Sequence, residues 1–280
     1  MIKTALKALI QTAFQEDLGS GDHSSLACIA SNEQGKAKLL VKQSGVLAGV
    51  EVAQEICNFF DSKLQLTVLI QDGTLVNPGD VAFYLEGNSR SILACERLLL
   101  NCMQRMSGIA TYTNFLVQKI SGTNAKLLDT RKTTPNFRLL EKEAVKIGGG
   151  SNHRFGLYDM IMLKDNHIDY AGGIEQAILK TNEYLVHNKL DLKIEVEVRD
   201  RNELEQVLAV GQVQRIMLDN FTPEDMKVAV ELIDGKFETE ASGGITDEDI
   251  ASYAATGVDY ISVGALTHQV KSLDLSLKAC

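Results

Sequence analysis

From Gly122 onward the chain repeats one pattern: a short apolar run closed by polar or glycine residues, then a helical segment. The runs are KLLDTRK, MIMLKDNH, KIEVEVR, RIMLDN, FETEASGG and YISVGAL. The helical segments between them cover Arg138–Ile147, Gly173–His187, Asn202–Val210, Pro223–Ile233 and Asp247–Ala255. Strands alternating with helices imply parallel strands joined by right-handed crossovers. About six such units without a dinucleotide fingerprint favour an α/β barrel over a Rossmann sheet, and because eight units are not visible the barrel is expected to be incomplete and open.

The part before Gly122 lacks that alternation. Residues 3–17 place Leu6, Leu9, Ile10, Ala13 and Phe14 on one helical face, and DLGSGD (Asp17–Asp22) stops it. Strands are expected over Lys36–Val41, Leu64–Ile70 and Val81–Leu85, with a helix over Val50–Phe60 and a type II turn at Pro78-Gly79. Ser89–Ile120 reads as helical, broken near Ser107-Gly108, and apolar on more than one side. This part is expected to be a separate α+β domain, over residues 1–108 and completed by 269–280, with the barrel domain over 109–268. Arg97 and Arg105 lie within the apolar helix; on sequence alone each reads as a stem along the surface with its head in water.

Composition narrows the function classes. A net charge of −9 disfavours non-specific binding to nucleic acid or anionic membranes. Cys28, Cys57, Cys95, Cys102 and Cys280 are scattered without a C-x-x-C, which fits reduced thiols better than disulfides or a zinc site. No apolar run reaches membrane-spanning length, and Lys3, Lys7, Gln11, Glu16 and Asp17 interrupt any signal core. The expected location is the cytoplasm, with no nucleic-acid or membrane partner.

Against that acidic background, cations gather at strand ends. Arg131 and Lys132 follow one run, Lys164 another, and His153-Arg154 come after the glycine triplet Gly148–Gly150. Ligand sites of α/β folds lie at strand C-termini, so these groups are suited to a small polyanion; pairing with Glu141, Glu143, Asp159 or Asp165 would be the structural explanation. The triplet either ends a helix or lets His153 and Arg154 approach a ligand. Lys132 or Lys164 could instead form a Schiff base. The histidines show no metal-ligand spacing.

Along Leu192–Arg199 the apolar residues alternate with Lys193, Glu195, Glu197 and Arg199. In a barrel whose outer face meets helices, the charged set would point inward, and Glu238 and Glu240 repeat the theme. Glu197 and Asp219, at the ends of adjacent strands, could hold Mg²⁺ directly or through water, or face a developing cation. Ser242-Gly243-Gly244 and Val263-Gly264-Ala265 close the last strands, where barrels often bind phosphate.

Taken together, EDLGSGD, ERLLLN, MSGIAT, DTRKTTP, GGGSNHR, LKDNH, EVEV, MLDN, SGGI and TGVDYISVGALTH resemble the quinolinate phosphoribosyltransferase family, nearly end to end. The resemblance implies an N-terminal sandwich domain with an incomplete α/β barrel, and a pentosyltransferase joining quinolinate to phosphoribosyl pyrophosphate. Pyrophosphate and CO₂ would leave, giving nicotinate mononucleotide for NAD biosynthesis.

It also implies roles. Arg131, His153 and Arg154, helped by Lys132 and Lys164, would bind the quinolinate carboxylates. Arg97 would reach the site of a neighbouring subunit in a dimer or larger homo-oligomer. Lys132, Glu197 and Asp219 would be catalytic around Mg²⁺ and phosphoribosyl pyrophosphate, with no organic cofactor. Thr130, Ser242, Gly243, Gly244, Gly264, Ala265 and His268 would complete the substrate contacts. Two departures stand out: Asn136-Phe137 where many members have glycine, and Ser151 where members often carry histidine. A relative acting in molybdate transport (ModD-type), a transferase for another pyridine acid, and a non-catalytic phosphate-sugar-binding homologue are the competing readings.

Overall fold

The computed structural model describes residues 2–280, with side chains described from Thr4 onward. The strands, in chain order, are β1 (Gln34–Val41), β2 (Gly45–Val46), β3 (Gln65–Val68), β4 (Leu75–Val76), β5 (Val81–Asn88), β6 (Lys126–Leu128), β7 (Ile161–Leu163), β8 (Ile194–Val198), β9 (Arg215–Asp219), β10 (Glu238–Ser242), β11 (Tyr260–Ser262) and β12 (Leu275–Ala279). The chain divides into two units. The first comprises Met1–Asn114, Lys132–Gly149 and Ala265–Cys280, the second Phe115–Arg131 and Gly150–Gly264.

In the first unit an antiparallel sheet runs β12-β1-β5-β3, with β2 and β4 as a separate ladder. Burial alternates along β1, so Ala37, Leu39 and Val41 face the core together with Phe83, Leu85, Ile56, Leu99 and Met103. The helix Val50–Phe60 occupies the span expected, and Asp72 Oδ1, from a distant turn, accepts the Val50 N–H at 2.9 Å. Burial, outweighing the N–H groups it accepts from, holds the Asp72 pKa above the ordinary carboxylate value. Phe14, on the helix Ile2–Leu18, packs on Phe59 and Phe60.

The helix Ser89–Lys119 is continuous, so the break expected near Ser107-Gly108 does not occur. Ser107 Oγ donates to Ala48 O and accepts from Ala48 N, while a Cβ on Gly108 would stand 3.1 Å from the Cα of Ser272. Gly108 therefore marks a close backbone approach rather than a stop. Arg105 also departs from expectation. Its guanidinium donates to Glu141 Oε1 at 2.9 and 3.1 Å, and to the carbonyls of Thr267 and Val270, so its head is bound by the protein rather than by water alone. Glu141 is fully buried and Arg105 half-buried, so the arginine supplies the counter-charge of an internal carboxylate.

The second unit is a parallel sheet of order β6-β11-β10-β9-β8-β7, an α/β barrel that does not close, as expected. A parallel bridge between Leu128 and Ser151 lies beyond β6. Crossover helices Ile174–Asn188, Arg201–Val210 and Pro223–Ile233 bury Ile178, Leu204, Val207, Met226 and Ile233. A further helix, Asp165–Ala171, follows β7 where the sequence showed only a charged strand end. No helix among the described residues is long and apolar enough to cross a membrane. Cys57, Cys95 and Cys102 are buried free thiols, and Cys28 and Cys280 are exposed.

Candidate active site

All strands of the second unit run parallel, so their C-terminal ends share one edge of the sheet. Chain order then gathers Thr130 and Arg131 after β6, Lys164 after β7, Glu197 near the end of β8, Asp219 ending β9, Ser242-Gly243-Gly244 after β10 and Gly264 after β11. His153 and Arg154 follow the bridge at Ser151. The remaining expected site residues lie in the first unit. There Arg97 is exposed on the helix Ser89–Lys119, Lys132 is exposed with its carbonyl accepting from Thr267 Oγ1 at 2.8 Å, and Ala265 and His268 bound a short helix.

At the rim, Lys164 Nζ forms an ion pair with Glu197 Oε2, the lysine side chain 42% exposed and the glutamate 11%. Asp219, half-buried, accepts from Asn220 Nδ2 at 2.6 Å. Asn220 has φ 58 and donates its N–H to Ser242 O at 2.9 Å, tying the ends of β9 and β10 together. A Cβ on Gly243 would lie 2.7 Å from the Asn220 nitrogen. This turn accounts for glycine at 243 by itself, before any ligand is considered. Glu197 and Asp219 provide hard oxygen ligands at neighbouring strand ends, a donor set that fits Mg²⁺.

Arg154 is pinned at its tip, with Nη1 donating to Met160 O at 3.3 Å. Burial and then the nearby Arg131 guanidinium lower its pKa below the ordinary arginine value, while Glu195 and Asp159 act the other way. Asp159 accepts the N–H groups of Phe155 at 2.6 Å and Gly156 at 2.9 Å, closing the loop after Arg154.

Below the rim lies a layer that the alternation of charges only hinted at. Glu195 and Glu240 are wholly buried, and both approach His153 Nε2, at 3.0 and 3.3 Å. Neither contact is a well-aimed hydrogen bond, so the ring edge points between the two carboxylates. Arg215 Nη1 donates to Glu240 at 2.9 Å and Nη2 to Glu238 at 3.0 Å, and the guanidinium stacks 4.0 Å from the Tyr260 ring centre. The backbone N–H of His153 donates to Asp129 Oδ1 at 2.9 Å, so the aspartate of DTRK acts inside the protein.

Burial pulls the His153 pKa down, but the facing glutamates outweigh it and push it up to about 9. Burial, then Glu240, raises Glu195 to about 7; for Glu240, burial is outweighed by His153 and Arg215, which lower it. One contact opposes a doubly protonated ring: the Arg154 N–H points at His153 Nδ1 across 2.6 Å. In the ring form that carries one proton, this contact makes Nδ1 the acceptor and puts the proton on Nε2.

The inward reading of KIEVEVR holds for Glu195 and Glu197 only. Arg199 is exposed and pairs with Glu203, because β8 ends at Val198; Lys193 lies before β8 and meets Glu238 at 3.4 Å. The glycine triplet ends the helix Arg138–Ile147: a Cβ on Gly148 would stand 2.5 Å from Ala110 O, and Gly149 has φ 94.

Two family models match the chain, one described as the quinolinate phosphoribosyl transferase C-terminal domain over residues 109–278, the other as its N-terminal domain over 22–107. The chain belongs to the quinolinate phosphoribosyl transferase family. It is 45% identical over 288 residues to the nicotinate-nucleotide pyrophosphorylase (carboxylating), chloroplastic, of Arabidopsis thaliana, covering 98% of this chain and 82% of that one. Identity and both coverages are the same for the quinolinate phosphoribosyltransferase (decarboxylating) 1b of Nicotiana tabacum. The solved structure of the nicotinate-nucleotide pyrophosphorylase from Francisella tularensis superposes with a TM-score of 0.92 at 42% identity, over 99% of this chain and 96% of that one. Asn136 adopts φ 62, so the turn after DTRKTTP forms with asparagine there.

Proposed function

We propose that the C-terminal edge of the barrel carries out the family reaction, phosphoribosyl transfer to quinolinate with loss of CO₂. The observation that carries this reading is the gathering of Arg131, Arg154 and Lys164 along one edge of the parallel sheet in a chain that belongs to this family, a set of cations suited to a dicarboxylate. In this reading Arg131, His153 and Arg154 hold the carboxylates, helped by Lys132 and Lys164. Glu197 and Asp219 stabilise the oxocarbenium-like ribose as pyrophosphate leaves, and would hold Mg²⁺, which supplies charge neutralisation to the leaving group. Thr130 and the turns at Ser242–Gly244 and Gly264-Ala265, with His268, receive the ribose phosphate. Attack by the pyridine nitrogen makes a pyridinium, which accepts the electron pair left when CO₂ departs.

The protein works as a homo-oligomer, at least a dimer, in which Arg97 serves a neighbouring site; exposure of Arg97 supports this. The cytoplasm is the proposed location, a reducing compartment suited to buried free thiols. The deciding experiment incubates the protein with quinolinate, phosphoribosyl pyrophosphate and Mg²⁺, following CO₂ and nicotinate mononucleotide. No turnover by well-folded protein would overturn the reading. For the shared site, inactive Arg97→Ala and Lys132→Ala proteins should regain partial activity on subunit exchange; no recovery after verified exchange removes Arg97 from the neighbouring site.

A further inference from the structure

Arg105 and Glu141 have no part in the proposed reaction, yet a buried charge is costly unless it is paired or used. Glu141 has no exposed surface and lies on the helix Arg138–Ile147, soon after DTRKTTP. Its Oε1 accepts from Arg105 Nε at 3.1 Å and from Nη2 at 2.9 Å. The same oxygen accepts from Thr134 Oγ1 at 2.9 Å, and Oε2 accepts the Thr134 backbone N–H at 3.0 Å. Arg105 also donates to the carbonyls of Val270, at 3.1 Å, and of Thr267. Thr267, fully buried, donates its hydroxyl to Lys132 O at 2.8 Å.

These bonds close a ring. It runs from Arg105 to Thr267, on to Lys132, along the chain to Thr134, then to Glu141 and back to Arg105. Three stretches of the first unit meet there: the helix Ser89–Lys119, the segment Lys132–Gly149 and the segment Ala265–Cys280. The ring grips backbone at Lys132 O and Thr134 N, immediately after the Lys132 side chain, and Thr267 precedes His268. For stability alone well-packed apolar residues would serve as well, since a buried Arg–Glu pair contributes little net free energy. What the charged pair adds is direction, because a planar guanidinium and a carboxylate fix bond geometry that methyl groups do not.

We propose that Arg105, Glu141 and Thr267 are positioning residues for Lys132: they fix the backbone beneath it and hold its loop to the turn that bears His268. A lysine ammonium rides on a flexible four-carbon stem, so a firm backbone narrows where the charge can go. The two site residues that the ring connects lie far apart in sequence, which is why neither motif announces the other. What Lys132 binds rests on the phosphoribosyl-transfer reading; the ring does not.

Amide hydrogen exchange at residue 134, followed by NMR, tests the ring without any substrate. Exchange should be about tenfold faster in Thr267→Val than in the wild type, since a ring opened at one bond loosens at the others; an unchanged rate overturns the ring. Steady-state turnover of quinolinate and phosphoribosyl pyrophosphate with Mg²⁺ then tests positioning. Thr267→Val keeps the buried volume and removes the hydroxyl, whereas Thr267→Ser keeps the hydroxyl and leaves a cavity. The kcat/KM for phosphoribosyl pyrophosphate should fall on the order of tenfold in the valine variant and stay within about twofold of wild type in the serine variant. Activity that follows the melting temperature instead of the hydroxyl, or a valine variant as active as wild type, overturns the proposal. If either variant does not fold, Thr134→Val and Thr134→Ser, at an exposed residue, carry both measurements from the Glu141 side. Wild-type protein without turnover would end the phosphoribosyl-transfer reading, while amide exchange still decides the ring.

Discussion

Glu195 and Glu197 sit two positions apart on β8 and point to the same side, yet their surroundings differ. Glu195 has no exposed surface and faces His153, with Glu240 pressing on it as a like charge. Glu197 meets Lys164, whose side chain is 42% exposed. The deeper acid is committed to the protein's own groups, whereas the outer acid has a partner that water, and therefore a ligand, can reach. One step of the pleat separates a structural charge from a chemical one, because desolvation rises steeply over that distance.

The largest expected effect tests the deep layer. Arg215→Ala removes the guanidinium shared by Glu240 and Glu238 and should cost about 3–5 kcal/mol in urea unfolding. A loss no larger than that of a surface ion pair would dissolve the distinction. At the rim, Glu197→Gln should lower kcat by about 100–1000-fold while unfolding shifts by less than about 1 kcal/mol; an equal loss of stability would place Glu197 with the deep layer. Next, Arg154→Ala should weaken quinolinate binding by about 10–100-fold, the equivalent of about 1.5–3 kcal/mol, with a nearly unchanged melting temperature. Unaltered affinity in calorimetry would remove Arg154 from the site.

The smallest effect concerns pH. Glu195 has its pKa raised from 4.5 to about 7 in the folded protein, so the unfolded chain releases that proton first as pH rises. The wild type therefore loses the associated stability between those two values, and Glu195→Gln does not. Melting temperatures of the variant relative to wild type should rise across this window; a constant difference would mean that Glu195 titrates normally.

The barrel was legible because its signal is repeated: each apolar run ends in polar or glycine residues, and the helix Pro223–Ile233 has the bounds its pattern implied. What escaped reading depends on partners distant in sequence. Nothing near Arg105 announces Glu141, and nothing near Ser107-Gly108 announces the chain at Lys271 and Ser272 that makes glycine necessary in an unbroken helix. In the candidate site, residue types at strand ends located the edge, since parallel topology alone aligns them. The division of labour among His153, Glu195 and Glu240 needed three strands in register and the direction of one N–H. Arg199 shows the opposite error, an alternation carried one residue past the strand's end.

The antiparallel pairing of β1 with β12 has a consequence for how the protein is made. Ala37 pairs with Ala279, so at about 5–20 residues per second a ribosome needs roughly 12–50 s to supply the partner strand after β1 itself has been polymerised. Throughout that interval one edge of β1 presents unpaired N–H and C=O groups, a template for another nascent chain. Lys38 on that strand, beside Lys36 paired with Glu86, places charge along the edge until β12 emerges and covers it.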